Sequence, residues 1–178
     1  MPLRLLLAIA CLASAAIAAD GDALDGEIQA STLIRAGDTA PDFSCQTTDG
    51  RAFMLSEQRG KVVLLYFFAS SVPFCYPEMR YIEKEIVEKM EKREDFIVLC
   101  LGRGHNREEL VKIGGENKLR LPMAADEEKK IYSKMFTKFV PRTVLIGKDG
   151  RVVHTVAGSK EFEGIVKLQE LIARELKR

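Results

Sequence analysis

KVVLLYFFASSVPFCYPEM, residues 61–79, is the stretch of sequence that decides the fold. Its first part, Lys61 to Phe68, is a continuous apolar run, which is typical of a strand buried on both faces of a sheet. A loop with serine and proline follows, and from about Cys75 to Lys92 apolar residues recur at helical spacing. The stretch therefore predicts a central strand, a loop and a long amphipathic helix that begins near Cys75.

The flanking sequence predicts a regular alternation of strands and helices. The other predicted elements are, in order, a hairpin of Pro41 to Cys45 and Arg51 to Leu55, a buried strand at Asp95 to Leu101, a helix capped by Asn106 and ended by Gly114-Gly115, a short extended piece at Leu121 to Ala124, a helix from Asp126 to about Met135, a hairpin of Thr143 to Ile146 and Arg151 to Val156, and a helix from about Lys160 to Lys177. Alternation of this kind predicts an α/β fold with a central mixed β-sheet covered by helices, preceded by an N-terminal β-hairpin.

The first residues differ in character from the rest of the chain. Arg4 precedes an uncharged run, Leu5 to Ala19, that ends in small residues. A positive start, a short apolar run and a small-residue site are features of a secretory signal peptide, and the run is shorter than the roughly 20 residues that span a bilayer. We therefore predict a signal peptide at residues 1–19, a leader at 20–36, a domain at 37–178, and export to the periplasm or cell envelope. An uncleaved N-terminal segment would instead act as a membrane tether.

Composition excludes several classes of partner. The chain has 27 basic and 26 acidic residues, so it lacks the positive field that a nucleic-acid partner needs. His105 and His154 have no cysteine, histidine or acid at ligand spacing beside them, so we expect no metal site. The pattern Gly102-x-Gly104 lacks the third glycine of a dinucleotide fingerprint, and we expect no cofactor.

Four segments, in order along the chain, resemble the thioredoxin superfamily. They are Gly37-Asp38-Thr39-Ala40-Pro41-Asp42-Phe43, the run Lys61 to Phe68, the segment Pro73-Phe74-Cys75-Tyr76-Pro77-Glu78-Met79, and Val140-Pro141-Arg142-Thr143-Val144-Leu145-Ile146 followed by Lys148-Asp149-Gly150. The closer resemblance is to exported thiol-disulfide oxidoreductases of the TlpA/ResA type, which are related to the AhpC/TSA redoxins. It extends roughly from Gly37 to the C-terminus and implies a thioredoxin-like three-layer fold.

The sequence departs from this family at the active site. In the family two cysteines flank two residues, and the second cysteine resolves the mixed disulfide that the first one forms. Here Cys75 occupies the second place, Val72 the first, and Ser71 the place of the usual Trp, while Tyr66 stands where thioredoxins carry a buried acid. One cysteine cannot form the short-range disulfide of a dithiol enzyme. The resemblance therefore implies a degenerate, single-cysteine oxidoreductase-like protein that acts on protein thiols or disulfides, or on small thiols.

The candidate site is centred on Cys75. In the first turn of a helix, unpaired N–H groups and the helix dipole favour the reactive thiolate. By the resemblance, Glu78 handles protons beside it, and its negative charge would raise the pKa of the thiol. The resemblance also implies a cis Val140–Pro141 bond that presents the backbone of Val140 to a partner chain, with Phe74 at the same docking edge. We therefore expect the sulfur to face this edge and to be reachable.

Two other functions remain open on the sequence. A peroxiredoxin-like one-Cys peroxidase would use Cys75 with Arg142 as the stabiliser of thiolate or peroxide, although Val72 stands where that family has a threonine. A redox-inactive thioredoxin-fold binding protein would keep the docking groove, with Cys75 as a small buried side chain. Cys45 and Cys100 are interpreted as core thiols, and either would resolve Cys75 only if their Cα atoms lay within about 7 Å.

Overall fold

The computed structural model describes residues 26–90, 92–158 and 163–178. The predicted signal peptide at residues 1–19 and the predicted start of the last helix at Lys160 lie outside these ranges. Among the helices of the described ranges, none has the length and apolar character that crossing a bilayer requires.

A five-stranded mixed sheet forms the centre of the fold, in the order β5-β4-β3-β6-β7. Its strands are β3 (Val62–Phe68), β4 (Phe96–Arg103), β5 (Met123–Asp126), β6 (Arg142–Ile146) and β7 (Val152–Ala157), and a separate antiparallel hairpin consists of β1 (Ser44–Gln46) and β2 (Ala52–Met54). The first three sheet strands run parallel, and β6 is antiparallel to both β3 and β7. Every residue of β3 is buried, which confirms the central strand predicted from its apolar run.

Three longer helices pack on the sheet. They are α1 (Cys75–Tyr81), which continues as a π-helical segment (Ile82–Val87) and a last turn (Glu88–Met90), α2 (Arg107–Asn117) and α3 (Glu163–Leu176). Short 3-10 turns occur at Leu55–Gln58 and Tyr132–Lys134, and residues 26–30 are helical. The first predicted helix is thus present from Cys75 onwards, but the sequence did not predict its π-helical segment, a feature that is rare in proteins.

The sheet separates two hydrophobic cores, because successive side chains of a strand point to opposite faces. The first core joins the sheet to the three helices and contains Leu64, Tyr66, Phe68, Met79, Ile82, Leu110, Leu168 and Ile172. The second core joins the other face to the β1–β2 hairpin and the 3-10 turn near residue 132, and contains Leu65, Phe67, Phe43, Phe53, Tyr132 and Phe136. Helices, sheet and this opposite layer make the three layers of a thioredoxin-like fold.

The segment just before Gly37 packs on the domain. Thr32 forms an antiparallel bridge with Phe136, and the N–H of Leu33 donates to the carbonyl of Met135 at 2.9 Å. Ile34 is buried in the second core. These contacts attach residues 32–34 to the layer opposite the helices.

Two helix predictions are wrong. The predicted cap at Asn106 is present and forms a capping box with Glu109, but the helix passes through Gly114-Gly115 and ends at Asn117, because Lys118 adopts a left-handed conformation that closes it. The predicted helix from Asp126 to Met135 is replaced by turns and one 3-10 turn. The Asp126 carboxylate accepts hydrogen bonds from the N–H groups of Ile131 and Tyr132, at 3.0 and 2.8 Å, and so stabilises a turn rather than a helix start.

Candidate thiol site

Cys75 lies where the loop after β3 enters α1. Loop residues 69–74 lead into the helix through two turn hydrogen bonds, from the N–H of Val72 to the carbonyl of Ala69 and from the N–H of Cys75 to the carbonyl of Val72, both 3.1 Å long. The whole residue is buried, with 0% of the Cys75 surface exposed. The expectation of a reachable sulfur is therefore wrong for this conformation, because the loop and the first core enclose it.

A buried tyrosine and carboxyl lie beside the cysteine. Tyr66 comes from β3 and Glu78 from the first turn of α1, so the two elements bring both side chains to one place. The Tyr66 hydroxyl donates to Oε2 of Glu78 at 2.9 Å and lies 3.2 Å from the carbonyl oxygen of Cys75. Only 3% of Glu78 is exposed, so this hydrogen bond satisfies a carboxyl that water barely reaches.

Burial dominates the proton affinities of this group. Burial raises the pKa of the Cys75 thiol, hydrogen bonds with Ala69 and Tyr66 oppose that rise, and the charge of Glu78 adds to it. Burial also raises the pKa of Glu78, and the hydrogen bond from Tyr66 partly lowers it. The helix start was expected to favour the thiolate, whereas burial favours the neutral thiol by raising its pKa.

The predicted docking residues lie at the same end of the sheet as this loop. Phe67 at the end of β3 pairs with Arg142 at the start of β6, so the preceding residues Val140 and Pro141 lie at the edge where the loop begins. The peptide bond between Val140 and Pro141 is cis, with Val140 half-buried. Phe74 of the loop has 67% of its surface exposed, the largest value among the exposed large apolar side chains of the described residues.

The structure does not bring Arg142 to Cys75. Residues paired across antiparallel strands share a face, and Arg142 pairs with Phe67, which belongs to the second core. The guanidinium lies 4.9 Å from the ring centroid of Phe136 and donates to the hydroxyl of Ser31. Cys75 belongs to the first core, on the other face of the sheet. Arg142 therefore cannot stabilise a thiolate or peroxide at Cys75.

The other two described cysteines are not paired with Cys75, and all three are free thiols. Cys45 lies on the hairpin beside the second core, and burial raises its pKa to about 11. Cys100 of β4 is fully buried in the first core, and burial raises the pKa of its thiol as well. Within the described ranges, no group of three histidine, cysteine or acidic side chains could hold a metal ion.

Sequence reasoning missed two polar residues near Cys75. Tyr66 was noted only as the replacement of a buried acid, and His105 only as a poor metal ligand. In the structure Nε2 of His105 accepts a hydrogen bond from the N–H of Ser70, at 3.0 Å. The available signal was topological, because loops that follow adjacent parallel strands such as β3 and β4 lie at the same sheet edge.

Three features define a thioredoxin-fold protein of the thiol-disulfide oxidoreductase type. They are the strand order, the helix that begins at a buried cysteine, and the loop before β6. The Redoxin family model matches residues 35–168. The chain therefore belongs to the redoxin family.

Particular relatives agree with this assignment. The thiol-disulfide oxidoreductase ResA of Geobacillus thermodenitrificans is 27% identical over 141 residues, which cover 79% of this chain and 80% of that protein. The solution structure of a candidate protein disulfide isomerase from Bacteroides thetaiotaomicron has a TM-score of 0.79 and 32% identity, and covers 83% of this chain and 94% of its own. A candidate thiol:disulfide interchange protein DsbE from Chlorobium tepidum has the same fold, with a TM-score of 0.67, 23% identity, and coverage of 79% and 97%. The chain is a TlpA/ResA-type thioredoxin-fold protein.

Proposed function

We propose that this protein is an exported, single-cysteine thiol-disulfide oxidoreductase-like protein in which Cys75 is a shielded thiol. The observation that carries the proposal is the position of Cys75 in the first turn of α1, with the buried Tyr66–Glu78 pair as its polar neighbours. Val72 stands three residues earlier, where a dithiol relative would carry the nucleophile, and it supplies no sulfur. Export is supported by the signal-like residues 1–19.

The chemistry that we assign is one thiol-disulfide exchange. Cys75 loses its proton, and its Sγ attacks one sulfur of a substrate disulfide. A new S–S bond joins Cys75 to the substrate, the substrate S–S bond breaks, and the other substrate sulfur leaves as a thiolate that takes up a proton. In its ionised form, the Glu78 carboxylate, whose pKa is raised by burial, can take up the proton that the thiol releases. A second thiol, from the substrate or from solution, must then release the product.

The substrate class that we propose is a protein segment carrying a thiol or a disulfide. Phe74 is largely exposed, and Phe139 and Val140 lie on the chain just before β6. Exposed aromatic side chains at one edge are a common feature of protein-binding surfaces. Such a segment would contact Phe74 and Val140 while its sulfur approaches Cys75.

A redox-inactive binding protein is the second candidate, and the complete burial of Cys75 favours it. Such a protein would use the same docking edge without any exchange at sulfur. The peroxidase alternative has no support, since Arg142 lies on the opposite face of the sheet and Val72 supplies no hydroxyl.

A mixed-disulfide assay separates the two candidates. The protein is incubated with glutathione disulfide, and adducts are assigned to individual cysteines by peptide mass spectrometry, with Cys75→Ser as the matched control. The oxidoreductase proposal predicts a slow glutathione adduct on Cys75 in the native protein, and its absence in the control. If Cys75 forms the adduct only in denaturant, the protein is a redox-inactive binding protein and the proposal is wrong.

A further inference from the structure

We propose that His105 is a positioning residue that holds the loop of residues 69–74 closed over Cys75. The proposal rests on the proposed function only in taking Cys75 as the thiol that is shielded. Its starting point is the hydrogen bond from the N–H of Ser70 to Nε2 of His105, 3.0 Å long, which joins the loop to the chain after β4.

Two different parts of the fold hold the His105 ring in place. The ring stacks on Phe68 of β3, with centroids 6.0 Å apart and planes at 23°. Its Nδ1 lies 3.2 Å from Oε2 of Glu109 on α2. Only 12% of the side chain is exposed. Since Phe68 and Glu109 fix the ring, the atom that it presents to Ser70 is fixed as well.

These contacts also determine where the proton of the ring lies. Nε2 accepts from a backbone N–H and therefore carries no hydrogen, so the single hydrogen of the neutral ring lies on Nδ1 and is donated to Glu109. Oε2 of Glu109 also accepts from the N–H of Asn106, at 3.0 Å. The hydrogen bond from the Asn106 N–H lowers the pKa of Glu109 most, and the hydrogen bond from His105 lowers it further. The Glu109 acceptor therefore stays ionised.

Release of the loop would uncover the sulfur. Val72 in the middle of the loop packs against the first core, in which Cys75 lies. Ala69 at its start is buried, and its backbone acts to lower the pKa of the Cys75 thiol. The N–H of Ser70 lies at the surface, so water can replace His105 as its acceptor when the side chain at position 105 has none. Loss of this hydrogen bond would therefore loosen the loop and increase the access of reagents to Cys75.

Amide hydrogen exchange at Ser70, measured by NMR, tests the proposal in three proteins. Two substitutions form a matched pair. His105→Phe keeps a ring against Phe68 but has no acceptor, whereas His105→Gln has a side-chain oxygen that accepts. Exchange is expressed as a protection factor. Maleimide labelling of Cys75 at one fixed pH is measured alongside.

We expect the protection of Ser70 to be about two- to tenfold lower in His105→Phe than in the wild type, the factor that one hydrogen bond supplies. His105→Phe should also label faster at Cys75 by a similar factor, and His105→Gln should keep the wild-type protection and labelling rate. Equal protection in the wild type and His105→Phe would overturn the proposal, as would unchanged labelling of Cys75 in His105→Phe. If the exchange and labelling results hold but no mixed disulfide forms, the positioning role stands and the oxidoreductase function fails.

Discussion

At the scale of single residues, the site is a buried polar group of Tyr66, Glu78 and Cys75 enclosed by apolar side chains. The Tyr66 hydroxyl donates its hydrogen to the Glu78 carboxyl, and desolvation disfavours the charged form of all three side chains. The group therefore holds its protons more tightly than it would in water. Removal of the carboxyl charge is the simplest way to test this description.

Glu78→Gln should remove a pH dependence of stability. Because the folded-state pKa of Glu78 is raised above its ordinary value of 4.5, its stabilising contribution is fully present below that value and is lost as the pH rises through the raised pKa. Tyr66 can still donate to the glutamine oxygen. The free energy of unfolding of the variant, minus that of the wild type, should therefore increase from about pH 4 to about pH 7, as measured by urea titrations.

Glu85→Gln is the matched control on the same helical stretch, because Glu85 is partly exposed and pairs with Lys89 at the surface. Its stability difference from the wild type should change by less than about 0.5 kcal/mol over that range. A Glu78→Gln difference that stays flat, or that falls as the pH rises, would show that burial does not raise the pKa of this carboxyl.

At the scale of elements, the unit β3–loop–α1 retains the geometry of a dithiol site. The hydrogen bond between the N–H of Cys75 and the carbonyl of Val72 closes a turn, which brings the two Cα atoms within about 7 Å. That separation is compatible with a disulfide. What this unit lacks for dithiol chemistry is one sulfur.

Val72→Cys should therefore create a redox-active pair. We expect the oxidised variant to form an internal disulfide between residues 72 and 75, because the turn already places them together. It should also catalyse the reduction of insulin by dithiothreitol at least about tenfold faster than the wild type, in line with the exposed, lower-pKa thiols of such motifs. Mass spectrometry of trapped thiols and the insulin turbidity assay measure the two effects.

Two controls accompany this variant. Val72→Ser changes the same position without adding sulfur, and Val72→Cys combined with Cys75→Ser adds the new sulfur while removing the old one. Neither should reach the rate of the dithiol variant. An absence of the 72–75 disulfide under oxidising conditions would contradict the description of this unit as a one-sulfur version of a dithiol site.

The elements show which features could be predicted from the sequence. The apolar run of β3 and the helix cap at Asn106 are local signals, and both predicted features are present. The segment after Asp126 was mispredicted because its carboxylate bonds two N–H groups five and six residues ahead, a turn whose signal resembles a helix cap.

The candidate site shows the same division between local and long-range signals. The position of Cys75 at a helix start follows from the local sequence. Three other features depend on how distant strands pair and pack: the burial of Cys75, the contact of Ser70 with His105, and the face that Arg142 occupies. The sequence of one segment does not contain that information.

At the scale of the whole molecule, the two hydrophobic cores have different roles. The first core holds the thiol and the helices, and the second attaches the chain before Gly37 to the sheet through Arg142. The Arg142 side chain is 1% exposed and donates to the carbonyl of Ile28 and to the hydroxyls of Ser31 and Thr32. Arg142 therefore has a structural role on the face away from Cys75.

Arg142→Met should destabilise the protein and leave the thiol unchanged. Loss of several hydrogen bonds from a buried charged group should lower the free energy of unfolding by about 1–3 kcal/mol, as measured with urea. Arg151→Met is the control, since that exposed side chain makes one bond, to the carbonyl of Gly37, and its loss should cost less than about 1 kcal/mol. Slower labelling of Cys75 in Arg142→Met, with no change in stability, would contradict the placement of Arg142.

The rate at which native Cys75 reacts, measured against the concentration of a thiol reagent, tests the central claim most directly. A thiol that reacts only after a local opening gives a rate that rises with reagent concentration and then reaches a plateau at the opening rate. We predict such a plateau, at a rate faster than global unfolding. A rate that stays proportional to reagent concentration, with the rate constant of a free thiol such as glutathione, would mean that Cys75 is exposed. A plateau equal to the global unfolding rate would mean that the thiol is an inert part of the core. Either result would contradict the account of Cys75 as a shielded but reactive thiol.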